Sequence, residues 1–178
     1  TGAATAAATG TAAAAVATAE AASDRRAEID AAMRSQPDLV AGERSYTASC
    51  SACHGAKGEG QATGWVPRIA GQRHAVLVSL LVDYRLGRRW DDRMQATASG
   101  HALPDAQAIA DVAAYASRLP GAMQGQGTGT AVQLGAQLYA AHCRTCHGAR
   151  AEGSESPAVP RLAGQNFVYL VRQQHDLL

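Results

Sequence analysis

The stretch YTASCSACHGAKGEG, residues 46–60, occurs a second time in the chain as YAAHCRTCHGARAEG, residues 139–153. A displacement of 93 positions aligns the two copies without a gap, and it also aligns VPRIAGQ, residues 66–72, with VPRLAGQ, residues 159–165. About 19 of the 44 positions in this overlap are identical. Identity at this density indicates two copies of one small unit. The second copy stops at a point equivalent to Arg85, so nothing matches the remainder of the first.

Both copies contain the motif Cys-x-x-Cys-His, and together the motifs use all four cysteines of the chain: Cys50, Cys53, His54, Cys143, Cys146 and His147. This is the attachment pattern of c-type haem. Two cysteines three positions apart at a helix end can each add to a haem vinyl group, and the histidine that follows can present its imidazole to the iron. The sequence therefore predicts two covalently bound c-type haems.

Other chemistry of cysteine pairs fits this spacing less well. A structural zinc site brings two such pairs within about 15–20 residues of each other, whereas these lie 93 apart. A thioredoxin-like redox pair follows a strand and occurs once. A disulfide between positions only three apart would be strained.

The composition indicates small units rather than one large core. Of the 178 residues 47 % are hydrophobic, but about 41 are alanine and only eight are aromatic. Alanine buries little area and contributes little transfer free energy. The 16 basic and 15 acidic residues give a net charge of +1, which removes the electrostatic case for a nucleic-acid partner. No apolar run reaches the 18 residues of a membrane span.

Apolar periodicity predicts helices over residues 23–34, 38–49 and 72–86, and a fourth that begins at Pro104-Asp105. No stretch alternates with the period of a strand. The expected organisation is an Ala-rich tail or tether with a short helix (1–36), a first domain (37–120), a Gly-rich linker (121–133) and a second domain without its C-terminal part (134–178).

With these motifs in order, the chain resembles the class I cytochromes c, and among them the tandem di-haem proteins of the cytochrome c-four type. The two haem motifs, the P-R-[IL]-A-G-Q segments, the run YRLGRR (84–89) and the closing helix PDAQAIADVAAYASRL (104–119) carry the resemblance. It implies an all-α fold of two tandem class I cytochrome c domains. Each would wrap around one covalently attached haem, with the second domain incomplete at its C-terminus. The implied function is one-electron transfer, not enzymatic catalysis.

The resemblance also implies roles for individual residues. Met94, between the third and fourth helices, would be the sixth ligand of the first haem iron. The carbonyls of Pro67 and Pro160 would accept the Nδ1 proton of the haem histidines. Arg68 and Arg161 would each face a haem propionate, with a solvated side chain as the alternative. Trp65 would cover one haem edge.

Packing between the first and last helices of a domain follows from the same resemblance. Gly42 and Tyr46 would pack against Tyr115, whereas the equivalent Gly135 and Tyr139 have no such partner in this sequence. Gln72 and Gln165 are expected at helix starts.

Three possibilities remain for the sixth ligand of the second haem iron. The repeat places its methionine nine residues beyond Leu178, and no methionine follows Met123. Either the natural C-terminus lies beyond this sequence, or His175 is the ligand, or the iron is open. The last case would permit peroxide chemistry, so a di-haem peroxidase-type enzyme is the alternative function.

Haem attachment outside the cytoplasm points to the bacterial periplasm, with membrane association through a partner or a lost anchor. The expected partners are redox proteins: a quinol-oxidising complex, a dehydrogenase or a terminal oxidase. The cytochrome would be free or a subunit of a respiratory or dehydrogenase complex, with any membrane tether outside this sequence. The cluster of Arg85, Arg88, Arg89 and Arg93 would steer an acidic partner or form a solvated face.

Overall fold

The computed structural model describes residue 20 and residues 22–120 and 129–176. Its elements are, in order, α1 (22–34), α2 (Leu39–Ser49), α3 (Ser51–His54), α4 (His74–Arg85), α5 (Asp92–Ser99), α6 (Ala106–Arg118), α7 (Val132–Leu138), a π-helical turn (Tyr139–Cys143), α8 (Arg144–His147) and α9 (Phe167–Asp176). Extended pairing in the described residues is limited to one isolated bridge, Ser154 with Val159. The predicted all-α fold is confirmed.

Parts of the predicted tail and linker, residues 1–19, 21 and 121–128, lie outside the described residues. Helices α1 to α6 are called the first unit below, and α7 to α9 the second unit. Among the helices that the structure describes, none has the length and apolar character needed to cross a membrane.

Aspartate side chains begin three helices of the first unit. Asp38, Asp91 and Asp105 each accept backbone N–H groups two or three residues further on, at 2.8–3.1 Å. Such caps satisfy donors that have no partner inside the helix. The helices expected from Asp38 and after Asp105 are confirmed. The sequence does not predict α5, because its residues are mostly polar and lack an apolar period.

The core of the first unit forms where α2 crosses α6. Gly42 lies so close to α6 that a Cβ built on it would be 2.2 Å from the carbonyl oxygen of Asp111 and 3.0 Å from the Cβ of Tyr115. The rings of Tyr46 and Tyr115 pack with centroids 5.4 Å apart. The predicted contact of Gly42 and Tyr46 with Tyr115 is therefore confirmed.

Helix α1 packs on the first unit instead of standing apart from it. Its inward residues are Arg25, Glu28, Ile29 and Ala32, spaced as one face of a helix. Ala32 is fully buried, and Ile29 packs against the same core as Val82 of α4. Residues 22–34, which the sequence groups with the tail, thus belong structurally to the first unit.

The second unit has little buried side-chain surface. Among its described residues only Asn166 is buried, and Val132, Leu134 and Leu138 of α7 are each more than half exposed. A Cβ added to Gly135 would meet nothing within 4 Å, in contrast to Gly42. The tight helix crossing of the first unit thus has no equivalent among the described residues of the second.

Candidate haem-attachment sites

The first motif occupies a single helical turn. Cys50 ends α2, the backbone N–H of His54 donates to the carbonyl of Cys50 at 2.9 Å, and Cys53 lies between them on α3. Both cysteines are free thiols. Burial, with a smaller contribution from the neighbouring Cys53, raises the pKa of Cys50 to about 11. This thiol is therefore protonated at neutral pH.

His54 is held by the loop that follows its helix. Its Nδ1 lies 2.9 Å from the carbonyl oxygen of Pro67, and a carbonyl can only accept, so Nδ1 carries the proton. Nε2 is then the nitrogen with a lone pair for a metal. The pKa of His54 is lowered, because the effect of burial outweighs the opposite effects of the Pro67 hydrogen bond and the charge of Asp91. The Tyr46 hydroxyl donates to the Gly55 carbonyl at 2.6 Å and anchors the end of the turn.

The second motif repeats these bonds. Tyr139 donates to the Gly148 carbonyl at 2.6 Å, and Nδ1 of His147 lies 2.9 Å from the Pro160 carbonyl oxygen. The loop after each motif also has left-handed backbone at the same position, which is Gly58 (φ 68°) in the first copy and Ala151 (φ 57°) in the second. An alanine in this region costs about 1 kcal/mol, so the loop geometry prevails over the local preference.

The donor set fits covalently attached haem. Each motif offers two free thiols on one helical turn and a histidine whose Nε2 remains available for iron. Within the described part of the chain, no group of three or more His, Cys, Asp or Glu side chains could hold a metal ion by themselves.

Met94 lies on α5, three residues after the capping Asp91. Its backbone N–H donates to the Asp91 carboxylate at 3.1 Å, and its side chain is half-buried. The negative charge of Asp91, at the start of α5, acts to raise the pKa of His54. His175 is the candidate ligand for the second haem iron, and its side chain is 90 % exposed.

Crossed glutamines join the two units. The Gln165 amide donates to the carbonyl of Arg68 at 2.8 Å and accepts its N–H at 2.9 Å. Gln72 makes the same pair of bonds to Arg161, at 3.0 and 2.8 Å. Since these residues are equivalent in the repeat, the contact has approximate two-fold symmetry. Both glutamines do precede helices, but local sequence carried no signal for their contact across the units.

Arg68 and Arg161 lie close to each other at this contact. Arg68 is buried, and its pKa is lowered by burial and then by the positive charge of Arg161. Its Nη1 donates to the Gly164 carbonyl at 3.2 Å. The alternative of a solvated side chain is therefore wrong for Arg68.

Trp65 also lies between the units. Trp65 is 67 % exposed, and the Arg172 guanidinium lies 5.0 Å from the centroid of its ring. Arg172 in addition donates to the Trp65 carbonyl at 3.2 Å. Trp65 thus contacts α9 of the second unit.

The predicted basic cluster does not form one solvated face. Arg85 is 15 % exposed and forms an ion pair with Glu28. Arg89 donates to the hydroxyls of Tyr84 and Tyr169, at 2.9 and 3.1 Å. Arg88 and Arg93 are exposed. Arg85 and Arg89 are therefore not part of a solvated face, because Glu28 of α1 binds the first and Tyr169 of α9 binds the second.

Two haem-attachment motifs on an all-α chain define a c-type cytochrome with two haems. The family model for cytochrome c matches residues 39–119 and again 132–176. The chain belongs to the cytochrome c family.

Among its relatives are cytochromes c4. Cytochrome c4 of Azotobacter vinelandii is 30 % identical over 155 residues, which cover 78 % of this chain and 71 % of the relative. A thiosulfate dehydrogenase electron acceptor of Stutzerimonas stutzeri is 31 % identical over 156 residues, covering 78 % and 70 %. The solved structure of reduced cytochrome c4 from Pseudomonas stutzeri aligns with a TM-score of 0.70 at 26 % identity, over 79 % of this chain and 80 % of that one. The predicted resemblance to di-haem cytochromes is confirmed.

The protein is therefore a di-haem c-type cytochrome that transfers electrons and is not an enzyme. None of the relatives described above is a peroxidase, so the enzyme alternative gains no support.

Proposed function

We propose that this cytochrome carries single electrons in the periplasm from a dehydrogenase to a further redox protein. The observation that supports this most is the pair of motifs with the same hydrogen bonds, which the crossed glutamines Gln72 and Gln165 join. A dehydrogenase as donor is favoured because one relative is named as the electron acceptor of thiosulfate dehydrogenase.

The residues of the chain would attach and orient the haems, whose iron supplies the change between ferric and ferrous states. The four cysteines would form the thioether bonds. His54 and His147 would ligate iron through Nε2, each oriented by its proline carbonyl at 2.9 Å. Met94 would be the sixth ligand of the first iron, which raises the reduction potential relative to bis-histidine ligation.

The remaining predicted residues would act at the contact between the units. A guanidinium pair, Arg68 with Arg161, suits the carboxylates of haem propionates, because these anions relieve the repulsion of two neighbouring cations. Trp65, between the units, would shield one haem edge from water.

The donor is tested by rapid mixing of the oxidised holoprotein with a thiosulfate dehydrogenase and its substrate. We expect reduction of both haems at a rate that rises with dehydrogenase concentration, followed at the haem absorption bands. Thiosulfate without the enzyme is the control. Reduction no faster than in this control, together with rapid reduction by a quinol-oxidising complex, would assign the donor to the latter.

A further inference from the structure

Helix α1 is an addition in front of the family match, which begins at residue 39. It nevertheless presents an ordered inner face to the first unit. Arg25 forms an ion pair with Asp83 of α4 at 2.5 Å, and Glu28 pairs with Arg85 at the end of the same helix. With Ala32 fully buried, α1 is attached through both charge and packing.

The side chain of Arg85 connects α1 to the last turn of α5 and to the segment that follows it. Besides its pairing with Glu28, Nε donates to the carbonyl of Ala98 at 2.9 Å and Nη2 donates to that of Leu103 at 2.5 Å. The Arg85 side chain is 15 % exposed and that of Glu28 is 20 % exposed. A guanidinium has five donors in a fixed plane, so a carboxylate on one side fixes the direction of the others.

Helix α5 is thereby held at both ends. Asp91 caps its start, and Arg85 binds the carbonyl of Ala98 in its last turn, where a cation also suits the helix dipole. Ala98 lies four residues after Met94, so both side chains are on one face of the helix, and Ala98 is fully buried. The position of Met94 therefore depends on a helix that Arg85 holds from outside.

We propose that Glu28 and Arg85 are positioning residues for Met94, and that α1 thereby stabilises ligation of the first haem iron. This inference rests on the proposed role of Met94. Glu28 neutralises the largely buried guanidinium of Arg85 and keeps it directed at the two carbonyls. Without Glu28, the unpaired charge of Arg85 favours a position in water. The last turn of α5 then loses the hydrogen bond from Arg85 to the Ala98 carbonyl.

The test compares four variants of the holoprotein: Glu28→Ala, Glu28→Gln, Arg25→Ala and Met94→Ala. The readouts are the long-wavelength charge-transfer band that reports methionine sulphur on ferric iron and the binding of carbon monoxide to the ferrous protein. Met94→Ala defines the share of each signal that belongs to the first haem. Arg25→Ala is the matched control, because it removes the other ion pair of α1 without touching Arg85.

In Glu28→Ala we expect carbon monoxide binding at the first haem to become about tenfold faster, with partial loss of the band, since residues that support metal ligands commonly have effects of this size. Glu28→Gln, whose amide oxygen still accepts from Arg85, should restore most of the band, and Arg25→Ala should retain it. The proposal is overturned if Glu28→Ala keeps the wild-type signals, or if Arg25→Ala loses them equally. Unchanged signals in Met94→Ala would overturn the role of Met94 as well, which distinguishes the two failures.

Discussion

Replacing Cys50 and Cys53 with alanine is expected to reduce covalent haem from two per chain to one. Both thioether bonds of the first site are then lost. The two free thiols lie on one helical turn and have no substitutes, because the four cysteines are divided between the two motifs. Haem that remains bound through His54 alone would be released by acid–acetone extraction. Haem content per chain after extraction, with the intact mass, measures the loss.

The matched variant replaces Cys143 and Cys146 and should likewise retain one haem, now in the first unit. Both double variants together should retain none. Two extraction-resistant haems in either variant would contradict attachment by these cysteines. Loss of both haems in the second-unit variant would mean that the two sites do not mature independently.

Replacing Gly42 with alanine is expected to destabilise the first unit by about 3 kcal/mol, at the upper end of the cost of overpacking. The added Cβ would lie 2.2 Å from a backbone carbonyl oxygen of α6, which cannot turn away as a flexible side chain does. The two helices must separate, and the packed rings of Tyr46 and Tyr115 separate with them.

Gly135→Ala is the control, because it makes the same change at the equivalent position of the second unit, where nothing lies within 4 Å of the new atom. Alanine is a better helix former than glycine by about 1 kcal/mol, so this variant should leave the second unit folded and the unfolding midpoint of the first unit unchanged. Guanidinium-induced unfolding followed by tryptophan fluorescence reports the first unit, since both tryptophans, Trp65 and Trp90, lie there. A Gly42→Ala midpoint equal to that of wild type would refute the close crossing.

The sequence alone predicts those features that depend on neighbours along the chain. The aspartate before α2 and the apolar spacing within α4 are local signals, and the helices are present. The resemblance placed the proline carbonyl 13 residues after each haem histidine, and the structure has this hydrogen bond at 2.9 Å in both copies. The repeat supports the proline prediction because it was made at both haem motifs.

Features that depend on distant partners escaped prediction. Gln72 bonds to a backbone 89 residues away, and its sequence context is that of an ordinary helix start. Arg85 is counted among surface charges until α1 is seen to bring Glu28, 57 residues earlier, against it. In α5 the only local signal was the pair Asp91-Asp92 at its beginning, since its remaining residues carry no apolar period.

A coulometric redox titration of the purified holoprotein tests the central claim most directly. If each motif holds one electron-carrying haem, the chain should take up two electrons, with an absorbance change at the haem bands proportional to the charge passed. An uptake of one electron or none by chains that carry both haems would contradict the account.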